Sequence, residues 1–390
     1  MAARQRWVGV GRSTAASARL AGREAAAAAL EGRTDGRLLV VFASDALDLA
    51  ELAGAVREAA GDVPLIGCST AGEITGAGPA DTSAVVLALG GDGFSVATAS
   101  ADATGPGGLR DAGAQVAACA EAIADRPHRA LLLLSDGLAG DQEELVRGAY
   151  GVVGAEVPLV GGCAGDDLRM QRTSQLHDGR VLHGAVVAAA LGSDAPLGIG
   201  VSHGWQRVGE PMLVTASEGS VVLCLDDEPA LDVYLSRLGA PPEAHVDPAA
   251  FTRFALTHPL GLHRRRTDEV RFVAGADFAR RALTCVAHVP QGALTWFMEG
   301  DDASVLEATD TACAAAVAAL GGAIPLGLLA FDCIARRGVL GDDGLPVEVG
   351  RLARHADGGQ VAGFYTYGEI ARTAGTGGFH NQTLVVLAVG

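Results

Sequence analysis

Two distant stretches of the sequence share one pattern of small and polar residues. Residues 67–74 and 363–370 both read G-x-x-T-x-G-E-I, and residues 157–167 hold a weaker version that opens like residues 63–67. Small residues allow backbone N–H groups to face a ligand closely, and threonine hydroxyls both donate and accept hydrogen bonds. Glutamate adds a fixed negative charge. The pattern therefore favours a binding site for a polar or zwitterionic metabolite.

The candidate ligand-binding residues are the thiol, hydroxyl, aromatic, amide and charged side chains in and near these segments. They are Cys68, Ser69, Thr70, Glu73, Cys163, Asp166, Cys333, Arg336, Tyr365, Thr366, Tyr367, Glu369, Arg372, His380 and Asn381. We expect Arg372 to meet a ligand carboxylate, and Glu73 or Glu369 to meet an ammonium group. Tyrosine can stack on a ligand and also hydrogen-bond to it. No spacing indicates a metal site or a cofactor.

A purely structural interpretation fits the same residues equally well. Glycine permits positive φ angles in tight turns, and Thr or Glu beside a turn caps the next segment. A motif that recurs is partly architecture, because a repeated site would need repeated ligands. His380 and Asn381, which precede the last predicted strand, either line a pocket or satisfy buried backbone groups.

A catalytic thiol is an alternative hypothesis. Cys68 and Cys163 lie in glycine-rich turns, and Cys333 follows a predicted strand. An arrangement of one of these thiols with His380 and Asn381 would activate a nucleophile. Nothing in the spacing brings these groups together, and a cysteine beside glycine is more often a small buried residue.

The predicted elements around the motifs follow a repeating order. Upstream of each motif lies an apolar strand that ends in Asp, at residues 39–45, 131–136 and 328–332. Apolar periodicity predicts helices over residues 15–30, 47–60, 109–124, 142–153, 303–320 and 347–355. Buried strands that alternate with helices indicate an α/β protein whose sheets are covered by helices. We predict two domains, residues 1–218 and 219–390, built from repeated helix–strand–helix–strand units.

Residues 204–300 do not fit this order. They contain an amphipathic helical pattern over 228–238, a proline-rich stretch over 239–248 and a basic cluster at 263–266. Such a cluster is most often a solvated surface, and the alternative is a local anion site.

Composition indicates which partners the protein does not bind and in which compartment it lies. The net charge of -17 disfavours a nucleic-acid surface or docking on anionic lipid. No apolar run approaches the roughly 20 residues of a membrane span, and the N-terminus lacks the apolar stretch of a signal peptide. The 7 cysteines form no CxxC pair, so a disulfide framework is not expected. We therefore expect a cytoplasmic protein that binds neither nucleic acid nor membrane.

Three parts of the chain carry a resemblance to a known family. Residues 63–74 resemble the motif of the FIST N domain, and residues 331–336 resemble the F-S-C-x-x-R segment of FIST C, with Asp332 in place of the usual Ser. Residues 363–369 and 379–387 resemble the end of FIST C. The resemblance implies a FIST N-like domain followed by a FIST C-like domain.

The family resemblance also implies a function. The resemblance implies a sensory module of the kind found in bacterial signalling proteins, which binds a small ligand, with amino acids as the favoured class. Because the sequence shows no kinase, cyclase or methyl-accepting segment, the implied output is a separate signalling protein. The competing hypotheses are a thiol-dependent enzyme and an interaction scaffold without a ligand.

Overall fold

The computed structural model describes residues 5–105, 107–263, 269–373 and 377–390. The predicted basic cluster, apart from His263, lies outside the described residues. The model is a mixed α/β structure, which confirms the predicted fold class.

The first part of the chain builds one strand-and-helix unit. Its elements are β1 (Trp7–Ser13), α1 (Ala18–Leu30), β2 (Gly36–Ser44), α2 (Leu49–Ala60), β3 (Leu65–Thr70), β4 (Glu73–Thr75), β5 (Gly78–Ala80) and β6 (Ala84–Gly90). Both helices begin where a side chain accepts from free backbone N–H groups, Ser17 for α1 and Asp48 for α2.

The second part of the chain repeats this order of elements. It comprises β7 (Phe94–Asp102), α3 (Gly108–Ala117) with a 3₁₀ extension (Ala118–Ile123), β8 (His128–Ser135), α4 (Gln142–Val153), β9 (Leu159–Cys163), β10 (Gln175–His177), β11 (Arg180–Leu182) and β12 (Ala185–Ser193). The helix predicted over 109–124 therefore finishes as a tighter 3₁₀ segment.

The third part begins with β13 (Leu197–Ser202) and is then interrupted. The interruption holds β14 (Gln206–Glu218), β15 (Val221–Leu225), β16 (Glu228–Pro229), α5 (Ala230–Arg237), a 3₁₀ turn (Pro242–His245), α6 (Pro248–Ala255), β17 (Leu260–Leu262), β18 (Glu269–Arg271), β19 (Val273–Asp277), β20 (Ala282–Cys285) and β21 (Leu294–Glu299). Its strands form a fourth sheet of their own. The predicted boundary at Glu218 falls at a hairpin of this sheet and stays a prediction.

The unit resumes after the interruption. Its remaining elements are α7 (Asp302–Ala318), β22 (Gly327–Cys333), α8 (Ile334–His355), β23 (Gln360–Thr366), β24 (Glu369–Arg372), β25 (Phe379–His380) and β26 (Leu384–Val389). Helix α8 starts well before the predicted residue 347, and it breaks at Gly341, whose φ is 56°.

Three six-stranded sheets among the described residues share one arrangement. Their orders are β1-β6-β2-β3-β10-β11, β7-β12-β8-β9-β24-β25 and β13-β26-β22-β23-β4-β5. Each sheet takes four strands from one unit and a short hairpin from another. The hairpin exchange draws the segments after β3, β9 and β23 together, and these segments contain the repeated motif.

Helices pack very closely on the first strand of two units. A Cβ on Gly200 in β13 would lie 1.9 Å from the carbonyl oxygen of Ala312 in α7, and a Cβ on Gly11 in β1 would lie 2.0 Å from the carbonyl oxygen of Ala25 in α1. Glycine at these positions is therefore required by the close approach of helix and strand.

Candidate functional site

Three turns meet at one place, which we call the three-turn junction and define as residues 69–72, 163–166 and 365–368. Reciprocal backbone hydrogen bonds join the first and third turns, from Ala71 N–H to the Tyr365 carbonyl (3.1 Å) and from Tyr365 N–H to the Gly72 carbonyl (2.9 Å). The second and third turns are joined in the same way, by Cys163 N–H to the Gly368 carbonyl (2.8 Å) and by Tyr367 N–H to the Cys163 carbonyl (3.1 Å).

The first and second turns complete the ring. Gly165 N–H donates to the Ser69 carbonyl (3.1 Å), and the Ser69 hydroxyl donates to the Gly165 carbonyl (2.8 Å). The Ser69 hydroxyl also accepts from Ser174 N–H at 2.9 Å. Because Ser69 is fully buried and bonded on both sides, its side chain fastens two turns together.

The buried glutamates of the motif occupy equivalent positions in their hairpins. Glu73, Gln175 and Glu369 are each the first residue of their strand, in β4, β10 and β24. Each bonds a nearby threonine hydroxyl and a backbone N–H at the start of the next long strand: Glu73 with Thr70 and Ser83, Gln175 with Thr173 and Ala185, and Glu369 with Thr366 and Thr383. These side chains therefore tie the hairpins to the main sheets.

Burial favours the neutral form of both glutamates. It raises the pKa of Glu73 to about 7 and that of Glu369 to about 8, although hydrogen bonds from their threonine partners oppose the shift. A protonated glutamate has the hydrogen-bonding capacity of the Gln175 amide, which donates to Thr173 at 3.2 Å and accepts from Ala185 N–H at 3.3 Å.

A loop over residues 166–172 folds around Asp166. Its carboxylate accepts from the N–H groups of Met170 (2.9 Å), Gln171 (2.7 Å) and Arg172 (3.0 Å) and from the Tyr367 hydroxyl (2.5 Å). Burial acts to raise the pKa of Asp166, but these hydrogen bonds outweigh it and the pKa is lowered. Asp166 and Tyr367 therefore hold the loop over the junction.

A buried ionic cluster adjoins the third turn. The Arg336 guanidinium donates to Asp332 (2.6 Å), to Glu348 (2.7 Å) and to the Thr309 hydroxyl (2.9 Å), which in turn donates to Glu348 at 2.9 Å. All four residues are fully buried. Burial first, and then the nearby charge of Glu348, raise the pKa of Asp332 far above its usual range.

Tyr365 is the first residue of the third turn of the junction and lies beside this cluster. It pairs in register with Asp332 across β22 and β23, so the two side chains share a face of the sheet. Its ring is fully buried, and no described group hydrogen-bonds to its hydroxyl. The Arg337 guanidinium lies 5.1 Å from the ring centroid, donates to the Ala71 carbonyl at 2.6 Å and pairs with Asp81.

The candidate thiols do not have the features of a nucleophile. Cys68, Cys163 and Cys333 are buried, and burial raises the pKa of each, to about 12 for Cys163. The Cys163 sulfur lies 3.2 Å from the Ser135 hydroxyl. A catalytic cysteine needs a lowered pKa and solvent access, so the geometry gives the thiol hypothesis no support.

The last three sequence candidates lie beside the junction or away from it. The Arg372 guanidinium lies 3.2 Å from the ring centroid of Tyr150, at the opposite end of β24 from Glu369. A ring nitrogen of His380 bonds the Ala371 carbonyl at 3.0 Å. Asn381 is buried, and its side-chain oxygen has no partner among the described residues. The structure does not bring Arg372 to the junction.

Sequence reasoning missed Thr309, Arg337, Glu348 and Gln175. Glu348 and Arg337 lie on α8, where no motif marked them, and Thr309 lies in the middle of α7. Spacing along the sequence did not identify Gln175, because the second motif contains the extra loop of residues 166–172. The strand-start position of Gln175 reveals the match only in the folded chain.

The described residues offer no group of three or more His, Cys, Asp or Glu side chains that could hold a metal ion. They do include an open cleft of about 450 Å³, between the fourth sheet and the start of α7. Its lining includes Gln206, His258, Glu299 and Asp301. None of the predicted site residues lines it.

Comparison with known proteins identifies the family of the chain. A model of the FIST N domain matches residues 37–228, and a model of the FIST C domain matches residues 230–372. The chain therefore belongs to the FIST family, as the sequence resemblance predicted. FIST domains are sensory domains.

Individual relatives cover different shares of the chain. A Mycobacterium tuberculosis protein, itself named as uncharacterised, is 28% identical over 394 residues, which cover 96% of this chain and 97% of that protein. A Methanocaldococcus jannaschii protein with the same designation is 32% identical over 120 residues, or 28% of this chain and 23% of that protein. A crystal structure of a chorismatase aligns over 100% of both chains with 12% identity and a TM-score of 0.39.

No helix in the described ranges is long and apolar enough to cross a membrane.

Proposed function

We propose that this chain is an intracellular sensor that binds a small polar metabolite of the amino-acid class at the three-turn junction. The observation that supports this most is the Tyr365 hydroxyl, which is buried beside Asp332, Arg336 and Arg337 without a described partner. A buried hydroxyl without a hydrogen bond costs free energy, so its persistence is typical of a functional site.

The position of the junction suits a sensor. Arg337 from the FIST C region reaches the Ala71 carbonyl and Asp81 of the FIST N region, across the first turn. A ligand bound beside Tyr365 would contact both regions, and it would shift the population of any states in which their fit differs. A separate signalling protein would read that shift. All seven cysteines are free, which suits a reducing compartment.

The test is a thermal-shift screen of the purified chain. The panel holds the twenty amino acids, nucleotides and sugar phosphates, each at several concentrations. We expect a dose-dependent rise with amino acids, since a ligand at a hundredfold excess over its Kd adds about 2.7 kcal/mol to the free energy of unfolding. Tyr365→Phe should lose most of the rise. Tyr234→Phe is the matched control, because it removes a buried hydroxyl on helix α5 that is bonded to the His258 carbonyl.

Two results would count against the proposal. A rise that survives in Tyr365→Phe would move the site away from the junction. The absence of any rise across the panel would favour the scaffold hypothesis, in which the chain binds a partner whether or not metabolites are present.

A further inference from the structure

The ionic cluster beside the junction contains more acidic groups than basic groups. Asp332 and Glu348 are two acids, and both bond one guanidinium, that of Arg336. With both acids ionised, the cluster would hold one uncompensated negative charge in a fully buried place. Such a charge is very costly, so one more positive charge or a proton must be present.

The oxygens of the cluster that lack a hydrogen bond can act as acceptors for an added cation. Asp332 Oδ2 and Glu348 Oε2 are buried, and within the described chain no N–H or O–H group donates to either. The Tyr365 hydroxyl, on the same sheet face as Asp332, is another buried oxygen without a partner among the described residues. Three such oxygens near two acids match the hydrogen-bonding needs of an ammonium group, which has only donors.

Titratable and charged groups reach the cluster from several elements. Helix α8 contributes Arg336 and Arg337, helix α7 contributes Thr309, Asp310 and Cys313, strand β23 contributes Tyr365, and the β22 end and β24 contribute Cys333 and Glu369. The segment after β13 contributes His203, whose carbonyl accepts from Arg336 at 3.3 Å. The two arginines are the permanent cations among these groups. Arg336 is already shared by both acids, and Arg337 is held by Asp81 and the Ala71 carbonyl.

We propose that Asp332 and Glu348, with Tyr365, form an ammonium subsite in which the amine of a ligand takes the place of the proton that the two acids share. The inference rests on the proposed function and assigns the ligand's amino group to this cluster. The Arg337 side chain is partly exposed, and the carboxylate of the same ligand would lie beside it. Binding then releases one proton to solvent for each amine bound.

Two probes separate this inference from the proposed function. Methylammonium chloride tests the subsite alone, and an equimolar pool of the twenty amino acids tests the ligand class. Binding is followed by thermal shift against sodium chloride and by proton release in weakly buffered solution. We expect stabilisation by methylammonium, release of about one proton per site, and an affinity that rises about tenfold per pH unit while the acid pair holds its proton.

Asp332→Asn is the decisive variant. The amide mimics the protonated acid, so the fold and the bond to Arg336 should persist, while affinity for methylammonium should fall at least tenfold and proton release should vanish. Asp310→Asn is the matched control: Asp310 pairs with Arg351 and His355 on the outer side of α7, and this variant should behave as wild type.

Each outcome has a distinct meaning. Methylammonium binding that is equal in wild type and Asp332→Asn, or that releases no proton, would overturn the subsite whatever the amino-acid pool does. Binding of the pool without binding of methylammonium would leave the sensor proposal standing and reject the subsite. Binding of methylammonium without the pool would keep the subsite and reject amino acids as the ligand class.

Discussion

At the scale of single residues, Gln175 indicates how the two buried glutamates behave. It occupies the strand-start position that Glu73 and Glu369 occupy in the other two hairpins, and it makes the same pair of bonds with a neutral side chain. The raised pKa values of the glutamates agree with this comparison. The three side chains therefore hold the architecture together in their neutral forms.

The pH dependence of stability tests that assignment. Between pH 4.5 and about 8 the folded chain keeps a proton on Glu369 that the unfolded chain has lost. The free energy of unfolding should therefore fall as the pH rises through this window, by at most about 1.4 kcal/mol per pH unit for this group. Glu369→Gln should flatten the slope by that share in urea denaturation at pH 5 and pH 8.

The control for this experiment is Glu58→Gln, which changes an exposed acid on α2. It should leave the slope as in wild type. A wild-type stability that stays constant from pH 5 to pH 8 would contradict the assignment of a raised pKa to Glu369.

The sequence identified part of this site and missed the rest for physical reasons. Tyr365 and Arg336 were predicted because each belongs to a motif with unusual residue types. Apolar periodicity located only the second half of α8, because the helix breaks at Gly341 and contains Pro346. Glu348 lies in that half, but no motif marked it as a site residue. The contact of Glu348 with Arg336 depends on how the two halves pack on the sheet, which residue spacing does not encode.

At the scale of elements, close packing of helices on glycines fixes the position of α7. Gly200 leaves no space for a Cβ beneath the Ala312 carbonyl, and the nearest atoms are backbone atoms that have no rotamer to adopt. Thr309, which bonds Arg336 and Glu348, lies on the same helix. A displacement of α7 would therefore disturb the ionic cluster.

Gly200→Ala is expected to destabilise the fold. Forcing a methyl group into this contact should cost about 1–3 kcal/mol, measured as the free energy of unfolding in urea. Gly54→Ala is the opposite control: Gly54 lies in α2 with nothing within 4 Å of its added Cβ, so alanine should stabilise by about 1 kcal/mol. Equal effects of the two substitutions would show that the helix–strand contact in β13 is not tight.

At the scale of the whole molecule, the hairpin exchange makes the junction a meeting point of distant segments. The long apolar strands before the motifs and most helices were predictable, because buried apolar runs and periodic patterns are local. The pairing of β4 with β23, of β10 with β3 and of β24 with β9 was not, because these partners lie far apart in the chain. The separate fourth sheet was likewise visible only as a stretch that broke the repeat.

We propose above that the ligand binds at the three-turn junction. The direct test is to measure amide hydrogen exchange with and without the amino-acid pool. We expect the pool to slow exchange together in peptides covering residues 69–72, 163–172 and 363–368. Because Arg337 pairs with Asp81, the start of α8 should be protected with them. Protection confined to the cleft around His258 and Asp301, with exchange in the junction unchanged, would show that the ligand binds outside the junction.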